Sequence, residues 1–212
     1  MGLKDMFDNL KKEVKVLQGD ETKDKVYSNH NEFPDEAAAR EAFGRSKQKL
    51  FDVNGWSRMA GFNSEFNLYD SRGRRTAATK PEVGYYIDII LPASTLDNWV
   101  QITDIREEEN LAEFVVHPSE KPQERHQEDK VIEHFFIKEA SSTFRVVREG
   151  NTLHAYEIGR NEGINNEGQE SGNRALLNTL VAEGGWAGVQ GLQWDKLTKY
   201  LVHLEEAKET KS

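Results

Sequence analysis

The stretch Trp194-Asp195-Lys196-Leu197-Thr198-Lys199-Tyr200-Leu201-Val202-His203-Leu204 decides how the rest of this chain is read. Trp194, Leu197, Leu201 and Leu204 recur at helical spacing, with Asp195, Lys196, Lys199 and Glu205 opposed to them. A helix with one apolar stripe has to bury it against something. The only large apolar surface on offer is a run of alternating, strand-like segments from about Phe62 to Ile158. The pattern therefore predicts an α+β fold. A curved antiparallel sheet of about six or seven strands packs against a long C-terminal helical region over 173–208.

Working back from that helix, the period of two is legible in several places. Phe62, Phe66 and Leu68 alternate with Asn63, Glu65 and Asn67, and Tyr85, Ile87, Ile89 and Leu91 share one face against Tyr86 and Asp88. Segments 99–106 and 111–117 bracket Glu107-Glu108-Glu109-Asn110, which reads as a hairpin with a solvated acidic tip. Segments 131–137 and 143–148 read as two strands or one long bulged strand, and Glu149-Gly150-Asn151 turns the chain into 152–158. A polar loop is expected over 159–172, and Gly184-Gly185 is expected to interrupt the helical region that follows.

Towards the N-terminus, an extended segment at 25–31 precedes Phe33-Pro34-Asp35-Glu36, where an early proline and first-turn acids mark a helix start. The helix over 35–50 presents Ala38, Ala42, Phe43, Leu50 and Phe51 inward; Trp56 and Met59 form an apolar plug after Asn54-Gly55. Residues 1–17 gather Leu3, Met6, Phe7, Leu10, Val14 and Leu17 on one helical face. The chain thus divides into 1–23, an N-terminal amphipathic helix with its polar linker, and 24–208, a single α+β domain. The 1–17 helix either packs on its own domain or pairs with a second copy, which makes a homodimer through 1–17 an expectation to test.

Composition removes several functions. At 212 residues, 36% hydrophobic and 31% charged, the chain can fill one core and is polar for its size. The net charge of −9 argues against a sequence-independent grip on nucleic acid, which depends on clustered Lys and Arg. Arg72, Arg74 and Arg75 make one compact basic spot in a turn, where solvated charge is the plain reading. With no cysteine there are no disulfides, no thiolate chemistry and no cysteine-held zinc. No apolar run approaches the roughly 20 residues needed to span a bilayer, and a cytoplasmic location is expected.

The extended 26–30 segment, the Phe33-Pro34-Asp35-Glu36 helix start, Trp56, the Val83-Gly84 strand entry and the Trp194/Leu197/Leu201/Leu204 stripe together carry a resemblance. Over about 24–205 this layout resembles the START-like helix-grip superfamily, which includes polyketide cyclases and pollen-allergen-like proteins. It departs from the pattern in the 1–23 extension, the 159–172 loop and the glycine-rich break over 184–191. The resemblance implies a sheet curved around the terminal helix with an apolar cavity between them. It thereby implies the binding of a hydrophobic small molecule, without a specific activity.

If the alternation holds, His134 shares a strand face with Ile132 and Phe136, and His154 shares one with Tyr156 and Ile158. Both histidines then either line a pocket as acid–base or ligand groups or sit as hydrogen-bonded boundary residues. The expected ligand-binding set is His134, Phe136, His154, Tyr156, Trp186, Tyr85 and Trp99. No metal and no cofactor is expected, because Glu133 and Glu157 point away from these histidines in a regular strand. Gly185-x-x-Gly188-x-x-Gly191 follows a helix and lacks a P-loop lysine, so it is no phosphate cradle. Acidic pairs are too frequent for any to be singled out as catalytic. Non-catalytic binding leads, against an interaction module built on 1–17 and a cyclase- or hydrolase-like enzyme using His134 and His154.

Overall fold

Seven strands form one antiparallel sheet in the order β1-β7-β6-β5-β4-β3-β2. The computed structural model describes residues 23–59, 64–90, 98–122, 139–162 and 186–205, with side chains in the last segment from 192 onward. Along the chain these are β1 (Lys23–Glu32), α1 (Glu36–Phe51), α2 (Val53–Trp56), β2 (Glu65–Tyr69), β3 (Tyr86–Ile90), β4 (Asn98–Glu107), β5 (Leu111–Pro118), β6 (Ser141–Glu149), β7 (Thr152–Glu162) and α3 (Trp186–Leu201). β2 to β7 follow one another as a meander, and β1 adds to the free edge of β7. The sheet is curved and carries bulges in the β4–β5 and β1–β7 pairs, the device that bends a strand and re-aims its side chains.

The helices start and stop where side chains can satisfy their ends. Asp35 is the N-cap of α1, its carboxylate accepting from the Ala38 N–H at 2.8 Å, and Glu36 and Lys49 complement the helix dipole at the two ends. The short α2 carries Trp56 to the centre of the core, where it is fully buried between Phe66, Phe114 and Phe144 at ring separations of 5.4, 5.9 and 5.0 Å. Its indole N–H donates to the Lys49 carbonyl at 2.9 Å, so this polar atom is satisfied inside an apolar cluster.

α3 runs unbroken through Gly188 and Gly191, so the glycine-rich break expected over 184–191 is helical from Trp186 onward. Each glycine costs a helix about 1 kcal/mol, which tertiary packing overrides. The helix buries Leu197, Tyr200 and Leu201, whereas Leu204 is half exposed and leaves the expected stripe. His203 adopts φ 64, the left-handed conformation of a Schellman stop, with Leu204 N–H bonded to the Lys199 carbonyl and His203 N–H to that of Tyr200.

A non-glycine residue in that conformation is held by its ring. His203 Nε2 meets the Ala42 carbonyl at 2.9 Å and Nδ1 meets Lys49 Nζ at 2.9 Å, which makes Nε2 the protonated nitrogen. From the sheet edge, Asn29 Nδ2 donates to Thr198 Oγ1 and Asp195 Oδ1, and Asn31 Nδ2 donates to the Val202 carbonyl. The edge strand and α1 grip the terminal helix together.

β7 extends through Glu162, so the first four residues of the expected 159–172 loop are strand. The expected 1–17 helix and its homodimer contact, the 131–137 strand and the helical segment before residue 184 lie outside the described residues. Among the described residues no helix is long and apolar enough to cross a membrane.

Candidate functional site

Along β7 the two faces separate cleanly. Leu153 and Ala155 are buried in the core with Phe144 and Val146 of β6, while His154 and Tyr156 lie on the other face. Glu157 continues the core-facing set. It sits opposite Phe144 of β6 and Tyr27 of β1, and it is completely buried. Neither of its carboxyl oxygens completes a hydrogen bond of good geometry, although the Ser142 hydroxyl lies close enough to act on them. Burial, and after it the charge of Glu162, pushes its pKa well above the usual carboxylate range, with Ser142 and Lys25 acting weakly in the opposite direction. The group therefore holds its proton where an ordinary glutamate has lost it.

Glu162 reaches the same place through the β1–β7 bulge. Lys25 pairs with Gly159 and Lys23 with Glu162, so two steps on β1 match three on β7. Regular alternation would put residue 162 on the face of His154. The bulge, with Asn161 at φ 52, turns it inward instead, and Glu162 is 1% exposed. The Asn161 N–H donates to Asp24 Oδ1 at 2.9 Å and fixes the kink. Gly159 makes the room: a Cβ at that position would overlap Glu162 Oε1. A Cβ there would displace the Glu162 carboxyl, which packs over the Gly159 Cα.

Beside Glu162, and not lined by Glu157, is a half-open hollow of about 20 Å3, room for about one water, walled by Val100, Val116, Pro118, Ala140, Ser141 and Ser142. Its walls are apolar and its polar groups come from β6 and β7. Ser142 and Phe144 alternate along the same face of β6, so Phe144 links the hollow to α3, where Trp194 packs edge-on against its ring at 5.4 Å. The Trp194 indole N–H is also buried without a partner. An apolar wall, the Glu162 carboxyl and the Ser142 hydroxyl thus meet at this end of the sheet, with the buried Glu157 near enough for Glu162 and Ser142 to act on it. That composition suits an apolar molecule with one or two polar groups.

The expected ligand set is not brought together here. His154 stacks on His30 across β1 at 5.9 Å and beside Tyr156 at 6.3 Å, all on the face away from α3. The pairing of His154 with Tyr156 on one strand face was legible, but the terminal helix covers the opposite one, because Leu153 and Ala155 supply the buried surface. Trp99 likewise points away from Val100 and meets Tyr69 edge-on at 4.7 Å. Tyr85 does pack against the core, near Ile102, whose N–H bonds to its carbonyl. His134 and Phe136, and the side chain of Trp186, lie outside the described residues. Arg145 is on the outer face, paired with Glu113. The sequence pattern puts Glu157 on the face opposite His154 without giving it a role, and puts Glu162 in the expected 159–172 loop; the usable signal is a glutamate in phase with Leu153 and Ala155, with glycine two residues on.

The fold defines the class: a helix-grip α+β protein, with a curved antiparallel sheet and a C-terminal helix across it. The same fold is seen in a hypothetical protein from Helicobacter pylori, 12% identical, with a TM-score of 0.54 over 91% of this chain and 94% of that one. Norcoclaurine synthase from Thalictrum flavum aligns at 12% identity and a TM-score of 0.44, over 86% of this chain and 97% of that one. The ginseng major latex-like protein 151 from Panax ginseng aligns at 13% identity and 0.38, over 80% and 95%. No family model matches this chain, and no curated protein matches it by sequence.

Proposed function

We propose that this chain is a helix-grip binding protein for a hydrophobic small molecule, held at the Glu157–Glu162 end of the sheet. The observation that carries this reading is Glu157, fully buried with both carboxyl oxygens unpaired. A buried polar group without a partner costs about 1–3 kcal/mol, a cost that a hydrogen-bonding ligand would remove. The small apolar-walled hollow at Glu162 and the resemblance to START-like proteins agree with a binding role. The experiment is a fluorescence titration of the full chain with phenylnaphthylamine, an apolar dye with one N–H. Saturable binding that weakens about ten-fold in Glu157→Gln is expected. Absence of saturable binding in the parent protein would remove the reading.

A second reading starts from the same carboxyl. A glutamic acid whose pKa is raised by burial is equipped to act as a general acid, a use known for carboxyls in apolar pockets. Turnover of an acid-labile test ester, lost in Glu157→Gln at unchanged dye affinity, would favour it over simple binding.

A further inference from the structure

We propose that residues 1–17 of this chain dock on the outer face of its own sheet, along the row Val26–Ile158–Thr143–Val115. The row is set by strand pairing. Val26 stands opposite Ile158 across β1 and β7, Ile158 opposite Thr143 across β7 and β6, and Thr143 opposite Val115 across β6 and β5. Cross-strand partners lie on one face, and this is the face of His154 and Tyr156, away from α3. Four adjacent strands thus present β-branched side chains side by side. Val26 is 62% exposed, on a ten-residue strand at the edge of the sheet. A sheet face that is simply solvated turns polar residues outward, and a long edge with a bare valine is a hazard that folds ordinarily cover.

Among the described residues no helix takes that place. The buried apolar side chains of α1, α2 and α3 belong to the core on the other face, with Phe144, Val146, Leu153 and Ala155. The apolar stripe from Leu3 to Leu17 reads as one face of a helix, and such a stripe has to be buried. It joins the domain at the right corner, because β1 begins at Lys23, three residues before Val26. A helix over 1–17 is about 26 Å long. The row crosses three strand spacings, about 14 Å, and the polar 18–22 link reaches up to about 17 Å. The same short link favours this occupant over a second copy. A tethered segment meets the face at an effective concentration in the millimolar range, well above that of a separate chain in dilute solution.

The chain has no cysteine, so single introduced thiols report on the face directly. Val26→Cys and Val115→Cys, each in the full chain, are reacted with Ellman's reagent beside Val83→Cys, a control at a turn residue that is 58% exposed. A second set adds Leu10→Asp and Val14→Asp, which place charge in the stripe. The added aspartates should speed reaction at positions 26 and 115 at least about ten-fold. Position 83 should react equally in both sets, the near-ultraviolet circular dichroism of the core should not change, and light scattering should give a single chain throughout. Equal rates at 26 and 115 in the two sets would overturn the docking. Protection that fades on dilution, with a dimer mass by light scattering, would overturn it in favour of a second copy.

Discussion

Two regions on the same face of the sheet have been built by opposite rules. Around Trp56 the rings of Phe66, Phe114 and Phe144 fill the space, and the indole N–H finds the Lys49 carbonyl. Around Glu157, one cross-strand pair from Phe144, a carboxyl is buried without a partner and a second acid is turned in beside it by a bulge. Each group near Trp56 contributes to stability. Glu157 detracts from it. A fold that tolerates this at the end of its sheet, while closing its centre tightly, separates the part that holds the chain together from the part proposed to take a ligand.

The sharpest way to break that contrast is to remove the ring at the centre. Trp56→Ala should cost about 3–5 kcal/mol in denaturant unfolding, the usual penalty for emptying a large aromatic site. A loss below about 1 kcal/mol would mean that the centre is loosely packed and that the two regions do not differ. At the acidic end the sign reverses. Glu157→Leu should gain about 1–3 kcal/mol near pH 8, because a buried unpaired carboxyl is replaced by an apolar group of similar size.

Linkage gives that gain a pH dependence. The Glu157 pKa is raised in the folded chain, so its unfolded state gives up the proton first. Its favourable contribution is complete below the unfolded value of about 4.3 and is lost as pH climbs from there through the folded value. The parent protein should therefore lose stability relative to Glu157→Leu as pH rises from about 4 to 8, seen as diverging melting temperatures. Parallel curves would show that Glu157 is ionised and compensated in the folded chain.

A smaller effect probes the bulge. Gly159→Ala should cost about 1 kcal/mol or more by pushing a methyl group into the Glu162 carboxyl. That cost should vanish when Glu162 is itself alanine, a coupling measured by the double-mutant cycle. Smallest of all, His154→Ala should change stability by about 0.2–1 kcal/mol, the worth of one cross-strand contact, and leave dye binding unaltered. A loss of binding there would return the site to the outer face.

The order of elements was readable because it rests on period and caps. Strands at 99–106, 111–117 and 143–148 appear within a few residues of their places, and Asp35 opens α1 as its side chain dictates. The site was not readable, because it depends on which face of β7 the helix chooses and on one inserted residue. His154, Tyr156 and Glu157 alternate correctly in the sequence, yet alternation alone is blind to which side is inner. Glu162 is out of phase with Glu157 in any regular strand, and a bulge is set by pairing with β1, far away in the chain.

The amino-acid sequence by itself determined local things: an amphipathic terminal helix, strands of period two, a capped first helix, an acidic surface and the absence of cysteine. Those follow from side-chain spacing and chemistry within a few residues. Only the tertiary structure decided that α3 lies over Leu153 and Ala155, and that Glu157 and Glu162 share one buried place. Burial and charge proximity are properties of pairs brought together from distant segments, and no short stretch of chain contains them.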